Sequence, residues 1–193
     1  SIHDEFYYWL KEEIAMGRIP KGLPLILYDR HPDSSSIGEN VNHDNWVRKA
    51  VREGLIGDVY WIVPEWYAAR ETGRVEEIRI GLVTLPESDR FMLAARYGYG
   101  EIIKHVLTDP KRLARVLKGR QCLVSIDYDY ISFQDITNTD NSHRATQDEI
   151  AESTRRVVEE IRYLQRQGIR IAALDLTSSI DVVKPVIDRT TMF

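Results

Sequence analysis

Apolar residues recur along this chain in two alternating rhythms. Over residues 3–16, Phe6, Trp9, Leu10 and Ile14 return at helical spacing, and Gly17 with Pro20 closes the segment, which predicts an amphipathic helix. Leu23-Pro24-Leu25-Ile26-Leu27-Tyr28 is apolar without interruption, as in a strand buried on both faces. Asp44 stands where a cap belongs, ahead of a helix running to about Glu53 and stopped by Gly54. Val59 to Val63 reads as another buried strand, halted by Pro64. Val75 to Leu85 alternates partly and predicts a longer strand, whereas Arg90 to Tyr97 and Pro110 to Leu117 predict helices; the pattern is least regular between 86 and 110. Cys122-Leu123-Val124-Ser125-Ile126 predicts a strand over 122–127, followed by a polar loop at 133–145. Thr146-Gln147-Asp148-Glu149 has the form of a capping box, and Ile150, Val157, Ile161 and Leu164 make the buried stripe of a long helix ended by Gly168. Ile169 to Leu174 forms a last strand, and Ile180 to Ile187 a final helix interrupted by Pro185. Strands separated by helices imply a mainly parallel sheet with helices on both faces, a three-layer α/β fold.

Composition narrows this picture. A chain of 193 residues with 43% hydrophobic content can bury one sizeable core, so a single domain spanning 1–193 is expected. With 26 basic and 30 acidic residues the net charge is −4, which argues against nucleic acid or an anionic membrane as the main partner. The basic run Lys111 to Lys118 alternates charge with apolar residues at helical spacing and reads as a solvated helix face. Cys122 is the single cysteine and lies in a predicted buried strand, so its thiol is expected to be inert. No apolar stretch approaches the roughly 20 residues of a membrane span, and the reducing cytoplasm is the expected compartment.

The candidate chemistry lies in two short acidic strings, Asp29-Arg30-His31-Pro32-Asp33 and Asp127-Tyr128-Asp129. Either alone would be an ordinary turn former. Each, however, directly follows a buried-strand pattern, and open α/β sheets bind ligands at the carboxyl ends of their strands. In an extended segment, residues 29, 31 and 33 share a face, as do 127 and 129. The four aspartates would repel one another unless divalent cations sat among them. Two such ions would balance their charge.

Asp-x-His-x-Asp followed about a hundred residues later by Ser-x-Asp-x-Asp resembles the binuclear manganese signature of the arginases, agmatinases and related ureohydrolases. Within that superfamily the chain is most similar to a small, mostly uncharacterised family that includes the peptide arginases. The likeness runs through His3-Asp4-Glu5, Leu27 to Asp33, Asn45-Trp46-Val47 with Ala50-Val51, Val59-Tyr60-Trp61 to Pro64-Glu65-Trp66, and Ser125 to Ser132, and continues more faintly to Asp175. The resemblance implies two divalent metals, manganese favoured, and hydrolysis of a carbon–nitrogen bond. It assigns His3, Asp29, Asp33 and Asp127 to one ion and Asp29, His31, Asp127 and Asp129 to the other, with Asp29 and Asp127 bridging. It also suggests His43, fourteen positions after Asp29, as a proton carrier outside the ligand set, with His143 a weaker competitor; His105 is expected to be structural.

The expected substrate is a small guanidino compound or an arginine-containing peptide, giving ornithine and urea in the latter case. One departure limits that inference. Where arginases carry a glutamate that grips the guanidinium, this chain has Ser178, so Asp181, Glu39 or Glu65 would have to supply the charge. Trp61 and Trp66 are read as lining a mouth or, more commonly for tryptophans, as core. A metal-dependent amidohydrolase or deacetylase, and a non-catalytic module stabilised by its metals, remain alternatives. Assembly into a homo-oligomer is compatible with all three.

Overall fold

The computed structural model describes residues 3–35, 40–64, 101–107, 109–132 and 146–177. Helix α1 spans His3–Ala15, strand β1 Leu23–Tyr28, α2 Trp46–Arg52, β2 Ile56–Ile62 and β3 Ile103–Leu107. A 3-10 turn at Pro110–Arg112 leads into the short α3, Leu113–Val116; then come β4, Gln121–Asp127, α4, Tyr128–Ser132, α5, Gln147–Arg166, and β5, Arg170–Thr177.

The five strands form one sheet in the order β3-β2-β1-β4-β5, and every pairing is parallel. Alternation along β1 sorts its side chains between two cores. Leu25 and Leu27 join Phe6, Leu10, Trp46, Val47 and Ala50 under α1 and α2, while Ile26 and Tyr28 join Leu113, Val157, Ile161 and Leu164 under α3 and α5. The expected three-layer α/β arrangement follows. Fully burying one such aliphatic side chain contributes about 1.5–3 kcal/mol, so each helix is held chiefly by its apolar stripe.

The chain leaves β1 toward β2 and β3 on one side and returns to place β4 on β1's other flank. Successive connections thus diverge from the β1/β4 boundary, the switch point at which such sheets open a crevice beyond their carboxyl ends.

Local signals account for the element ends. Thr146 and Glu149 form the expected capping box, with Thr146 N–H donating to Glu149 Oε2 at 2.7 Å and Glu149 N–H to Thr146 Oγ1 at 3.3 Å. Gly168 takes φ 88°, the left-handed conformation that ends α5. At Gly57 a Cβ would lie 2.6 Å from the carbonyl oxygen of Gly22, so glycine permits β2 to start against the turn before β1.

Several expectations are corrected. Asp44 does not cap α2: Asn45 holds the cap position without a side-chain bond into the helix, its Oδ1 accepting instead from Asn42 N–H at 3.0 Å. The helix expected over Pro110–Leu117 is split, because Pro110 opens a 3-10 turn capped by Asp109. β3 was not foreseen, since Lys104 and His105 interrupt its apolar run. His105 is exposed, its ring stacked on Tyr60 at 4.8 Å. Cys122 is fully buried, and burial pushes its thiol up to about 11, which suits an inert group. The strand expected at 75–85 and the helices at 90–97 and 180–187 lie outside the described residues. Among the described residues no helix is long and apolar enough to cross a membrane.

Candidate metal centre

The two acidic strings meet at the switch point. Tyr28 and Ile126 are register partners in β1 and β4, so Asp29 leaves the sheet beside Asp127. Asp29 N–H donates to the Ile62 carbonyl at 3.2 Å, carrying the ladder one residue past β1. There the chain bends. Asp29 Oδ1 accepts from the N–H of His31 at 2.7 Å, an Asx-type turn, and Asp33 sits at φ 46°, which aspartate tolerates better than most residues.

Neighbouring elements hold this loop at both ends. The indole Nε1 of Trp61, in β2, donates to the Asp29 carbonyl at 2.8 Å. The indole Nε1 of Trp46, at the start of α2, donates to Asp33 Oδ2 at 2.7 Å. Val47 N–H donates to the Asp33 carbonyl at 3.1 Å, and Arg48 Nε to the Ser34 carbonyl at 2.7 Å.

Asp127 is the last residue of β4, and its Oδ1 accepts from Asp129 N–H at 2.9 Å in the first turn of α4. The two strings then touch each other. Arg30 N–H donates to Asp129 Oδ1 at 3.3 Å, and His31 Nδ1 lies 3.2 Å from Asp129 Oδ2. Ligand atoms of Asp29, His31 and Asp129 all lie within 4.8 Å of one another. Strand alternation does not produce this grouping, contrary to the sequence-based expectation: residues 29–33 form a turn and 128–132 a helix.

Asp29, Asp33, Asp127 and Asp129 are all buried, Asp29 completely. Burial raises the Asp29 carboxyl well above the usual carboxylate range, and the charges of Asp33, Asp129 and Asp127 add to the rise; the His31 N–H opposes it. Its Oδ2 is buried and accepts no hydrogen bond among the described residues, an arrangement that costs free energy unless something cationic fills it. Asp129 goes the other way. Burial pushes its carboxyl up, but the His31 ring and the Arg30 guanidinium outweigh burial and hold it low.

Of the remaining candidates, Asp33 and Asp127 stand close enough to Asp29 to act on its charge but fall outside the tightest triad. The His3 side chain is outside the described set, although its backbone opens α1. His43 is exposed on the loop before α2, with Nε2 3.3 Å from Asp44 Oδ1 and no place in the triad. His143, Glu39, Glu65, Trp66, Ser178 and Asp181 lie outside the described residues.

Trp61 is buried in the core, the commoner of the two readings. Its role, and those of Trp46 and Arg48 in bracing the acidic loop, went unread in the sequence. The available signal was that a buried indole N–H must find an acceptor.

No family model and no curated protein matches the chain. Among solved structures it is similar to the X-ray crystal structure of a hypothetical agmatinase from Burkholderia thailandensis, at 18% identity and a TM-score of 0.51, over 95% of this chain and 50% of that one. The chain thus spans about half the length of that structure. At this identity the likeness establishes the fold, which is arginase-like.

Proposed function

We propose that this chain is a hydrolase of carbon–nitrogen bonds that holds two divalent ions and acts on guanidino groups, with peptide-borne arginine as substrate and ornithine and urea as products. The observation that carries this reading is the convergence of Asp29, His31 and Asp129 ligand atoms within 4.8 Å at the switch point of an arginase-like sheet. The buried Oδ2 of Asp29, which accepts no hydrogen bond among the described residues, and the crowding of carboxylates around it fit a cationic occupant. An oxygen-rich donor set with imidazole favours manganese. His3, Asp29, Asp33 and Asp127 would hold one ion and Asp29, His31, Asp127 and Asp129 the other.

When bound, such ions supply Lewis acidity and a water that ionises near neutral pH. The protein's own groups do the rest. The backbone of Arg30 and the ring of His31 fix the orientation of Asp129. Burial of Asp29 and Asp127 lowers the local dielectric, which strengthens their hold on a cation. His43, in contact with solvent, carries a proton to the leaving amine.

Ser178, standing where arginases have a guanidinium-gripping glutamate, favours a second reading as an amidohydrolase or deacetylase. A screen of manganese-loaded protein against free arginine, agmatine, arginine-containing peptides and acetylated amines separates the two. Urea release from a peptide is the expected result; acetate release without urea would replace it with the second reading.

A further inference from the structure

We propose that Trp46 and Trp61 are positioning residues of the metal site, each fixing one end of the Asp29–Asp33 loop through its indole N–H. The inference rests on the two-metal reading. Both rings are buried, at 0% and 3% exposure, and both choose acceptors on this loop: Trp61 the Asp29 carbonyl at 2.8 Å, Trp46 the Asp33 carboxylate at 2.7 Å. The choice of donor is informative. A lysine or arginine at either place would compete with a cation for the carboxylates, whereas a neutral N–H fixes the plane of the Asp33 carboxylate and leaves its charge available.

Trp61 sits in β2 as the register partner of Leu27, so the bend at Asp29 is referenced to the sheet. Trp46 meets the edge of Phe6 at 5.6 Å, so the Asp33 end is referenced to α1, the helix that begins at His3. The two indoles therefore tie the ligand loop to two different elements. Without them, Asp33 at φ 46° has reason to relax toward the commoner backbone regions.

The test is calorimetric titration of manganese into wild type, Trp46→Phe, Trp61→Phe and Asp29→Asn, with melting of each metal-free protein measured alongside. Each phenylalanine variant is expected to bind the same number of ions about 10–100-fold more weakly, the usual cost of losing a group that orients a ligand. Asp29→Asn is expected to lose binding. A second measurement needs no variant: in 15N-labelled wild type, the Trp46 and Trp61 indole N–H resonances should shift when diamagnetic zinc is added. A wild type that binds no divalent ion sinks the two-metal reading and this proposal with it. A wild type that binds ions while both phenylalanine variants bind within about threefold of it, or while the two indole signals stay unmoved, sinks the positioning role alone.

Discussion

The backbone N–H of Asp129 donates to Oδ1 of Asp127 across 2.9 Å, so the second acidic string folds back on itself as β4 gives way to α4. Asp127 therefore has two jobs in the proposed site, as a shared ligand and in the manner of a helix cap, and substitutions can part them. Asp127→Asn keeps an acceptor for the Asp129 N–H and should lose manganese and hydrolysis with little change in the melting temperature of the metal-free protein. Asp127→Ala should lose the same functions and also about 0.5–2 kcal/mol of stability, the cost of a missing cap. Elemental analysis and thermal melts check both, and wild-type metal content in either variant would remove Asp127 from the ligand set.

Asp29→Asn should move stability and metal binding in opposite directions. The carboxylate of Asp29 is fully buried beside those of Asp33, Asp129 and Asp127, so a neutral side chain of the same shape relieves repulsion in the metal-free protein. The metal-free variant should melt higher than metal-free wild type, yet gain nothing when manganese is added. Wild type should gain strongly, because an ion bound only to the folded state stabilises it by mass action. Equal gains for the two proteins would show that Asp29 touches no ion.

Most of the sheet was legible because β1, β2, β4 and β5 each contain an apolar run; β1 is seen over the expected residues 23–28, and β4 begins one residue earlier than expected. β3 escaped because Lys104 and His105 break its apolar run. The site was legible as composition, from four aspartates and a histidine after two strands. Its geometry was not, since the turn at Asp29 and the helix at Tyr128 depend on backbone N–H groups meeting carboxylate oxygens. The long-range braces from Trp46 and Trp61 span 13 and 32 positions and leave no periodic trace.

Glu160 should make stability depend on pH. On α5, burial raises its carboxyl from 4.5 to about 7; Arg156, Lys111 and the nearby Tyr28 phenol pull it down, and Asp109 pushes it up. Between those values the folded state holds a proton that the unfolded chain has released, so stability falls as pH rises from about 4.5 through about 7. At 1.36 kcal/mol per unit, the whole effect is of the order of 3 kcal/mol at most. Glu160→Gln should be more stable than wild type at pH 8 and nearly equal to it at pH 4.5. Urea unfolding at both values measures the double difference, which cancels other titrating groups; a difference that does not change with pH would refute the assignment.

His43 lies on the exposed loop before α2, with its Nε2 3.3 Å from Asp44 Oδ1 and outside the Asp29, His31 and Asp129 triad. A group so placed is in contact with solvent, which suits a carrier. His43→Asn should therefore keep full manganese content while turnover falls by about 10²–10⁴-fold, the usual worth of a general acid–base group. One limb of the pH–rate profile should flatten, because the proton carrier is gone. Turnover of His43→Asn within a few-fold of wild type at matched manganese loading would exclude His43 from proton transfer and turn the search to His143. Loss of manganese from the same variant would instead make His43 a ligand.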